Sequence, residues 1–222
     1  MNTKTLLTSV IIAASSILTG CSANGVPAPA IQSNTMTQNV EKIFIGIPAL
    51  MAIEGSSVRL DDKWFVTGMH NKYILDNTGN EVYYHPTCDI ALVREDGNSS
   101  EVSKVVENEE IAVVGYPLYY PTISINKGKH IGFMNFSDGP WKDCDAFELS
   151  TATTMAGISG GGVFNKNQQL VGVISGVVFQ ELPIIGGDFD GQTPRFTSYF
   201  VNLYKVRGWL TEITGVDYFN NK

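Results

Sequence analysis

From Val40 onward, β-branched and aromatic residues come in short runs, and Gly, Asn, Asp or Pro cuts each run off. Runs of four to eight such residues bounded by turn chemistry predict strands. They are expected at residues 57–60, 64–67, 73–75, 81–84, 90–94 and 111–114, and again at 122–126, 130–136, 146–149, 162–164, 170–178 and 195–199. Asp61-Asp62 and Asn77-Thr78-Gly79-Asn80 supply turn chemistry for hairpins. Gly115-Tyr116-Pro117 interrupts the pattern near its middle, because proline is kept out of central strands and pushes the residue before it to extended geometry. Helical spacing occurs once, near the end. Val201, Leu203, Tyr204, Val206, Trp209, Leu210 and Ile213 share one face, and Gly215 is a stop, so a helix is expected over 201–214. The pattern predicts an all-β barrel or sandwich closed by one helix.

The first forty residues follow different rules. Lys4 precedes an apolar run over 6–18, too short for a comfortable membrane span and ending on small residues, which predicts a cleaved signal peptide over 1–20. Leu18-Thr19-Gly20-Cys21 resembles the lipobox of bacterial lipoproteins, and that likeness implies acylation of Cys21. The chain is then expected to be exported and lipid-anchored to the cell envelope; Ser22 after the cysteine implies the outer membrane if the host is Gram-negative. Residues 21–40, rich in Ala, Pro, Ser, Asn and Thr, predict a flexible linker.

Composition narrows the remainder. With 222 residues and 43% hydrophobic content, the chain suffices for one large β unit or two small ones with real cores. A formal net charge of -7 and the lack of a basic tract argue against nucleic acid as a partner.

The chemistry concentrates in three segments. Ser159 lies in Ala156-Gly157-Ile158-Ser159-Gly160-Gly161-Gly162, a glycine-rich bend leading into a strand. Attack on an amide carbonyl puts negative charge on oxygen, and two inward backbone N–H groups stabilise it by roughly 2.7–4 kcal/mol each. Gly157 and Ser159 are placed to supply those amides. A serine hydroxyl also needs a base within reach and a third group to orient that base. His70 follows the apolar strand Trp64-Phe65-Val66-Thr67, and Asp89 heads Asp89-Ile90-Ala91-Leu92-Val93.

In the order His, Asp, Ser these segments resemble the chymotrypsin-like, or trypsin-fold, serine peptidases, from about Gly55 to the C-terminus. The resemblance implies two six-stranded antiparallel β-barrels with a C-terminal α-helix: a peptidase domain over 41–222, with a first barrel over about 41–116, a second over about 117–200 and the terminal helix over 201–214. It implies that His70 acts as general base and then acid, that Asp89 fixes its tautomer, and that Ser159 forms the acyl-enzyme. No cofactor is implied, and the partner is a protein or peptide substrate. The family's substrate pocket maps onto Thr153, Thr154 and Met155 and onto Ser175, Gly176 and Val177, none of them acidic, so a neutral, small or medium side chain is expected.

The departures bear on activity. Met69 stands where the family has Ala, and Ile158 stands where it has Asp or Asn, so no ion pair with a released amino terminus can form and packing of Ile158 must hold the bend. Only nineteen positions separate His70 from Asp89, which implies a trimmed first barrel. Ile174 occupies the position where glutamate-specific relatives carry histidine. By analogy with the two-barrel layout, the segments of Cys88 and Cys144 are expected to approach each other; a disulfide and two free buried thiols are both open. His85 and His130 have no partners at zinc-like spacing, so no metal site is expected. The expected function is a serine endopeptidase; the alternative is a catalytically inactive trypsin-fold lipoprotein that binds a peptide or partner.

Overall fold

The computed structural model describes residues 21–23, 26–28, 34–47, 51–118, 122–178 and 197–220. The expected signal peptide lies outside these residues. Two short strands, β1 (Cys21–Ala23) and β2 (Val26–Ala28), pair antiparallel. Helix α1 (Thr35–Gln38) begins at Asn34, whose side chain accepts the Thr37 N–H at 3.1 Å while the Thr37 hydroxyl accepts the Asn34 N–H at 3.3 Å. Met36 on this helix is buried in the core. The linker expected over 21–40 therefore ends earlier than its composition implied: a single apolar residue among polar ones leaves no periodicity to read.

The N-terminal half is one antiparallel sheet of β3 (Val40–Ile47), β4 (Met51–Arg59), β5 (Trp64–Thr67), β6 (Val82–Tyr84) and β7 (Ala91–Arg94), in the order β3-β4-β5-β7-β6. This corrects the expected six-stranded first barrel to five strands among the described residues. Residues 73–75, expected as a strand, form α2 (Lys72–Leu75) instead, with Ile74 and Leu75 buried and Tyr73 exposed. An adjacent apolar pair fits either period, and the short His70–Asp89 interval leaves little chain for another strand.

The second half closes. Strands β8 (Glu110–Gly115), β9 (Ser124–Phe133), β10 (Phe147–Ser150), β11 (Gly162–Asn165), β12 (Leu170–Val178) and β13 (Thr197–Asn202) form a barrel in the order β10-β13-β12-β11-β8-β9. Because β8 pairs with both β9 and β11, the barrel starts at Glu110 rather than 117, and residues 95–109 form the crossover. Pro117 ends β8 instead of dividing the halves. Strand β9 runs through Lys127-Gly128-Lys129, which had separated two expected strands. Gly128 serves close packing there, since a Cβ would lie 2.2 Å from the Ala152 backbone nitrogen. Helix α3 (Arg207–Thr214) ends at Gly215 with φ +75°, while Val201, expected on that helix, belongs to β13 and Leu203 to the turn after it.

One continuous core joins the two halves: Val58, Trp64, Val66 and Leu92 of the sheet pack in the same cluster as Val114, Phe147, Phe164 and Val201 of the barrel. Burying side chains of this size contributes roughly 1.5–3 kcal/mol each. That shared core fixes the loop after β5 against the bend before β11.

Candidate active site

Strand β5 delivers His70 through Gly68 into a 3-10 turn (Met69–Asn71). A Cβ at Gly68 would sit 2.7 Å from His70 Cε1, so only glycine leaves the ring its place. Asp89, just before β7, is 2% exposed and grips His70 twice: Oδ2 lies 2.7 Å from Nδ1, and Oδ1 accepts the His70 backbone N–H at 2.9 Å. A carboxylate only accepts, so Nδ1 carries a hydrogen, and in the neutral ring this leaves the lone pair on Nε2. Nε2 has no hydrogen bond among the described residues, and the ring is about one-third exposed, at 36%.

The turn that carries Asp89 is itself braced. His85 Nδ1 accepts the N–H groups of Thr87 at 3.2 Å and Cys88 at 3.0 Å, and the ring packs edge-on to Trp209. Burial lowers the His85 pKa below the usual imidazole value, against the pull of Asp145, which favours the neutral ring that this acceptor role needs. Cys88 is joined to Cys144, with Cα atoms 4.9 Å apart, and this ties the turn to the segment entering β10. His130, the third histidine, faces inside the barrel, where Nε2 lies 2.8 Å from Glu148 Oε2. Burial opposes ionisation of Glu148, but His130 and Lys205 hold its carboxyl below the usual range. No group of residues able to hold a metal ion occurs among the described residues.

Ser159 sits on a bend whose carbonyls are all engaged. Met155 O accepts from Ile158 N at 3.2 Å, Ala156 O from Leu118 N at 2.7 Å, Gly157 O from Ser56 Oγ at 2.8 Å, Ile158 O from Gly161 N at 2.8 Å and Ser159 O from Ser56 N at 2.8 Å. Gly157 has φ +90°, as the third position of a type II turn requires. The peptide before it is trans, so pointing the Ala156 carbonyl at Leu118 turns the Gly157 N–H the opposite way. Neither that amide nor the Ser159 amide has a partner among the described residues. Gly160, with φ +85°, passes so close to the sheet that a Cβ would lie 2.1 Å from both Ser56 O and Thr67 Oγ1. The loop of Ser159 is thus docked beside His70: Asn71 Nδ2, one residue on, donates to Ser159 O at 3.3 Å. The Ser159 hydroxyl donates to Ser175 O at 3.4 Å and makes no hydrogen bond to His70.

No protein-family model matches this chain, and no curated protein sequence does. Solved structures do. A protease from M. tuberculosis, Rv3671c in its active form, superposes with a TM-score of 0.58 at 18% identity, covering 87% of this chain and 88% of that one. The MamO protease domain from Magnetospirillum magneticum gives 0.56 at 14% identity over 80% of this chain and 98% of its own. The HtrA-type protease AlgW, solved with a tripeptide, gives 0.57 at 15% identity over 86% of this chain and 64% of that chain. This chain has the chymotrypsin-like serine protease fold.

Within that fold, the residues mapped to the substrate pocket occupy two elements. Thr153 and Met155 are exposed and Thr154 half-buried on the segment entering the bend. Ser175, Gly176 and Val177 lie on β12 where its register with β13 shifts between Ile174 and Gly176, and this bulge sets the Ser175 carbonyl against Ser159. The Tyr199 hydroxyl closes over Gly176, where a Cβ would approach it to 2.9 Å. Sequence reasoning missed Ser56, Lys42 and Asn71. The first two are buried polar residues on strands, and their only signal was a polar side chain at a position that strand alternation turns inward.

Proposed function

We propose that the chain is a serine endopeptidase in which His70, Asp89 and Ser159 hydrolyse peptide bonds through an acyl-enzyme. What carries the proposal is the bend at 155–159, where every carbonyl is engaged and the amides of Gly157 and Ser159 are left to receive an oxyanion. Rotation of the Ser159 side chain brings its hydroxyl from Ser175 to His70 Nε2. His70 takes the proton as Oγ bonds to the substrate carbonyl carbon, and the carbonyl oxygen becomes an anion between the two amides. As the C–N bond breaks, His70 returns the proton to the leaving amine. Water then repeats the sequence on the ester, losing its proton to His70 and releasing the acid and Ser159. Thr153, Thr154, Met155, Ser175, Gly176 and Val177 offer no charge to the substrate side chain, which favours a neutral residue before the cut.

A fluorophosphonate probe tests the reaction: the wild type is expected to be labelled on Ser159, and Ser159→Ala to be folded and unlabelled. One observation favours a second reading, a catalytically silent peptide-binding module, namely the bond of the Ser159 hydroxyl to Ser175 O instead of to His70. A folded wild type that binds peptides but resists the probe would establish that reading over the first.

We further propose that Cys21 is acylated and holds the domain at the envelope. The sequence Leu18-Thr19-Gly20-Cys21 supports this, and two or three acyl chains at about 0.8 kcal/mol per CH₂ make a durable anchor. Labelled palmitate should enter the wild type and not Cys21→Ser; equal incorporation would refute it.

A further inference from the structure

The bend around Gly157 lacks the acidic residue that could pin it by an ion pair, since Ile158 takes that position. Its side chain is fully buried, with Cγ2 packed toward Gly115 of β8. Packing anchors Ile158, and the Leu118 N–H holds the carbonyl of the peptide before Gly157. A polar clamp holds the peptide after Gly157 from the other half of the molecule.

Ser56, on β4, has no exposed surface. Its hydroxyl accepts the Tyr116 N–H at 2.9 Å and donates to the Gly157 carbonyl at 2.8 Å, while its own backbone N–H donates to the Ser159 carbonyl at 2.8 Å. One residue therefore holds the bend on both sides of Ile158. Behind it stands Lys42 of β3, the register partner of Ser56. Lys42 Nζ donates to the Tyr116 carbonyl at 3.1 Å and lies 3.4 Å from Glu54 Oε2, with both side chains 1% exposed. Tyr116 is thus gripped at both its N–H and its carbonyl, and the bend rests directly on it: a Cβ at Gly157 would meet Tyr116 O at 2.7 Å and Leu118 N at 2.4 Å.

We propose that Ser56 is a positioning residue for the oxyanion bend: it holds the Gly157 and Ser159 carbonyls, each on the peptide that follows an oxyanion amide, and so keeps both amides toward the reacting carbonyl, with the Lys42–Glu54 pair stiffening the Tyr116 strut from behind. The inference rests on the serine-peptidase function proposed above. Burial lowers the Lys42 pKa to about 8, against the pull of Glu54, so the ammonium remains a donor at neutral pH. The clamp makes the N-terminal sheet a supplier of order to the barrel's amides as well as of the base.

Its test compares Ser56→Ala with Ser57→Ala in the full chain. Ser57 is the neighbouring buried serine, and its hydroxyl has no hydrogen-bond partner among the described residues. The expected result for Ser56→Ala is a fluorophosphonate labelling rate at least about tenfold below that of Ser57→Ala. Amide exchange should quicken at Tyr116, Ile158 and Gly161, whose N–H groups bond to Ser56 Oγ, Met155 O and Ile158 O, while exchange in β9 and β13 stays alike in the two variants. Ser56→Cys, isosteric with a weaker donor, should show the same change at smaller size and serves if the alanine variant does not fold. Equal labelling and equal exchange in the two alanine variants would overturn the clamp. A wild type that resists the probe would refute the peptidase function and leave the clamp to the exchange data alone: faster exchange in Ser56→Ala upholds it, equal exchange overturns it.

Discussion

On the N-terminal sheet, a side chain orients the reactive group: Asp89 takes both the Nδ1–H and the backbone N–H of His70, at 2.7 and 2.9 Å. On the barrel, Ser159 stands on a bend oriented through its backbone, with each carbonyl from 155 to 159 bonded away from two amides that have no partner among the described residues. The difference predicts that the two halves fail in different ways when altered. Side-chain grip fails when one carboxylate is altered, whereas backbone grip depends on glycines that pass where no Cβ fits, as at Gly160 beside Ser56 O and Thr67 Oγ1. The Ser159 hydroxyl bonds to Ser175 O and not to His70 Nε2.

The largest expected effect breaks the sheet side alone. Asp89→Asn keeps the shape but can donate where Asp89 accepts, which favours the wrong His70 tautomer, so turnover should fall by about 10⁴ while the fold persists. Steady-state kinetics with a thermal melt check this; a fall below tenfold would mean that His70 is oriented by something else. A smaller effect probes the link between the halves. The Cys88–Cys144 bridge closes a span of 56 residues, for which loop-closure entropy gives about 4 kcal/mol. The double variant Cys88→Ser, Cys144→Ser should lose stability of that order in denaturant melts, with the Asp89 turn loosening before the barrel. Unchanged stability would show that the shared core alone holds the halves together.

How much of this was legible in the sequence follows from how local each signal is. His70, Asp89 and Ser159 each lie in a contiguous motif whose strand the alternation of side chains also marks: β5 and β12 fall where their patterns predicted, and β7, β8 and β11 within a residue or so. The glycines around Ser159 were likewise readable, because close approach leaves no other residue possible. Elements whose cause lies elsewhere in the fold were not. Gly128 looked like a turn because its constraint is the backbone of Ala152, and residues 73–75 looked like a strand because Ile74-Leu75 is too short to carry a period. The opening of the first sheet and the start of the barrel at Glu110 depend on which strands pair, a matter of tertiary contact. Ser56 and Lys42 are the instructive misses: each acts on a residue about 60 to 100 positions away, with separations of 74 for Lys42–Tyr116 and 101 for Ser56–Gly157.

The central claim is that the sheet's imidazole and the barrel's two amides meet on one reacting carbonyl at Ser159. A crystal structure of the chain with a peptidyl boronic acid measures this directly. The account predicts a covalent bond from Ser159 Oγ to boron, one boronate oxygen about 2.7–3.1 Å from the amides of both Gly157 and Ser159, and His70 Nε2 within hydrogen-bond reach of the adduct. A boronate that binds without bonding to Ser159, or whose oxygens turn away from both amides, would contradict it.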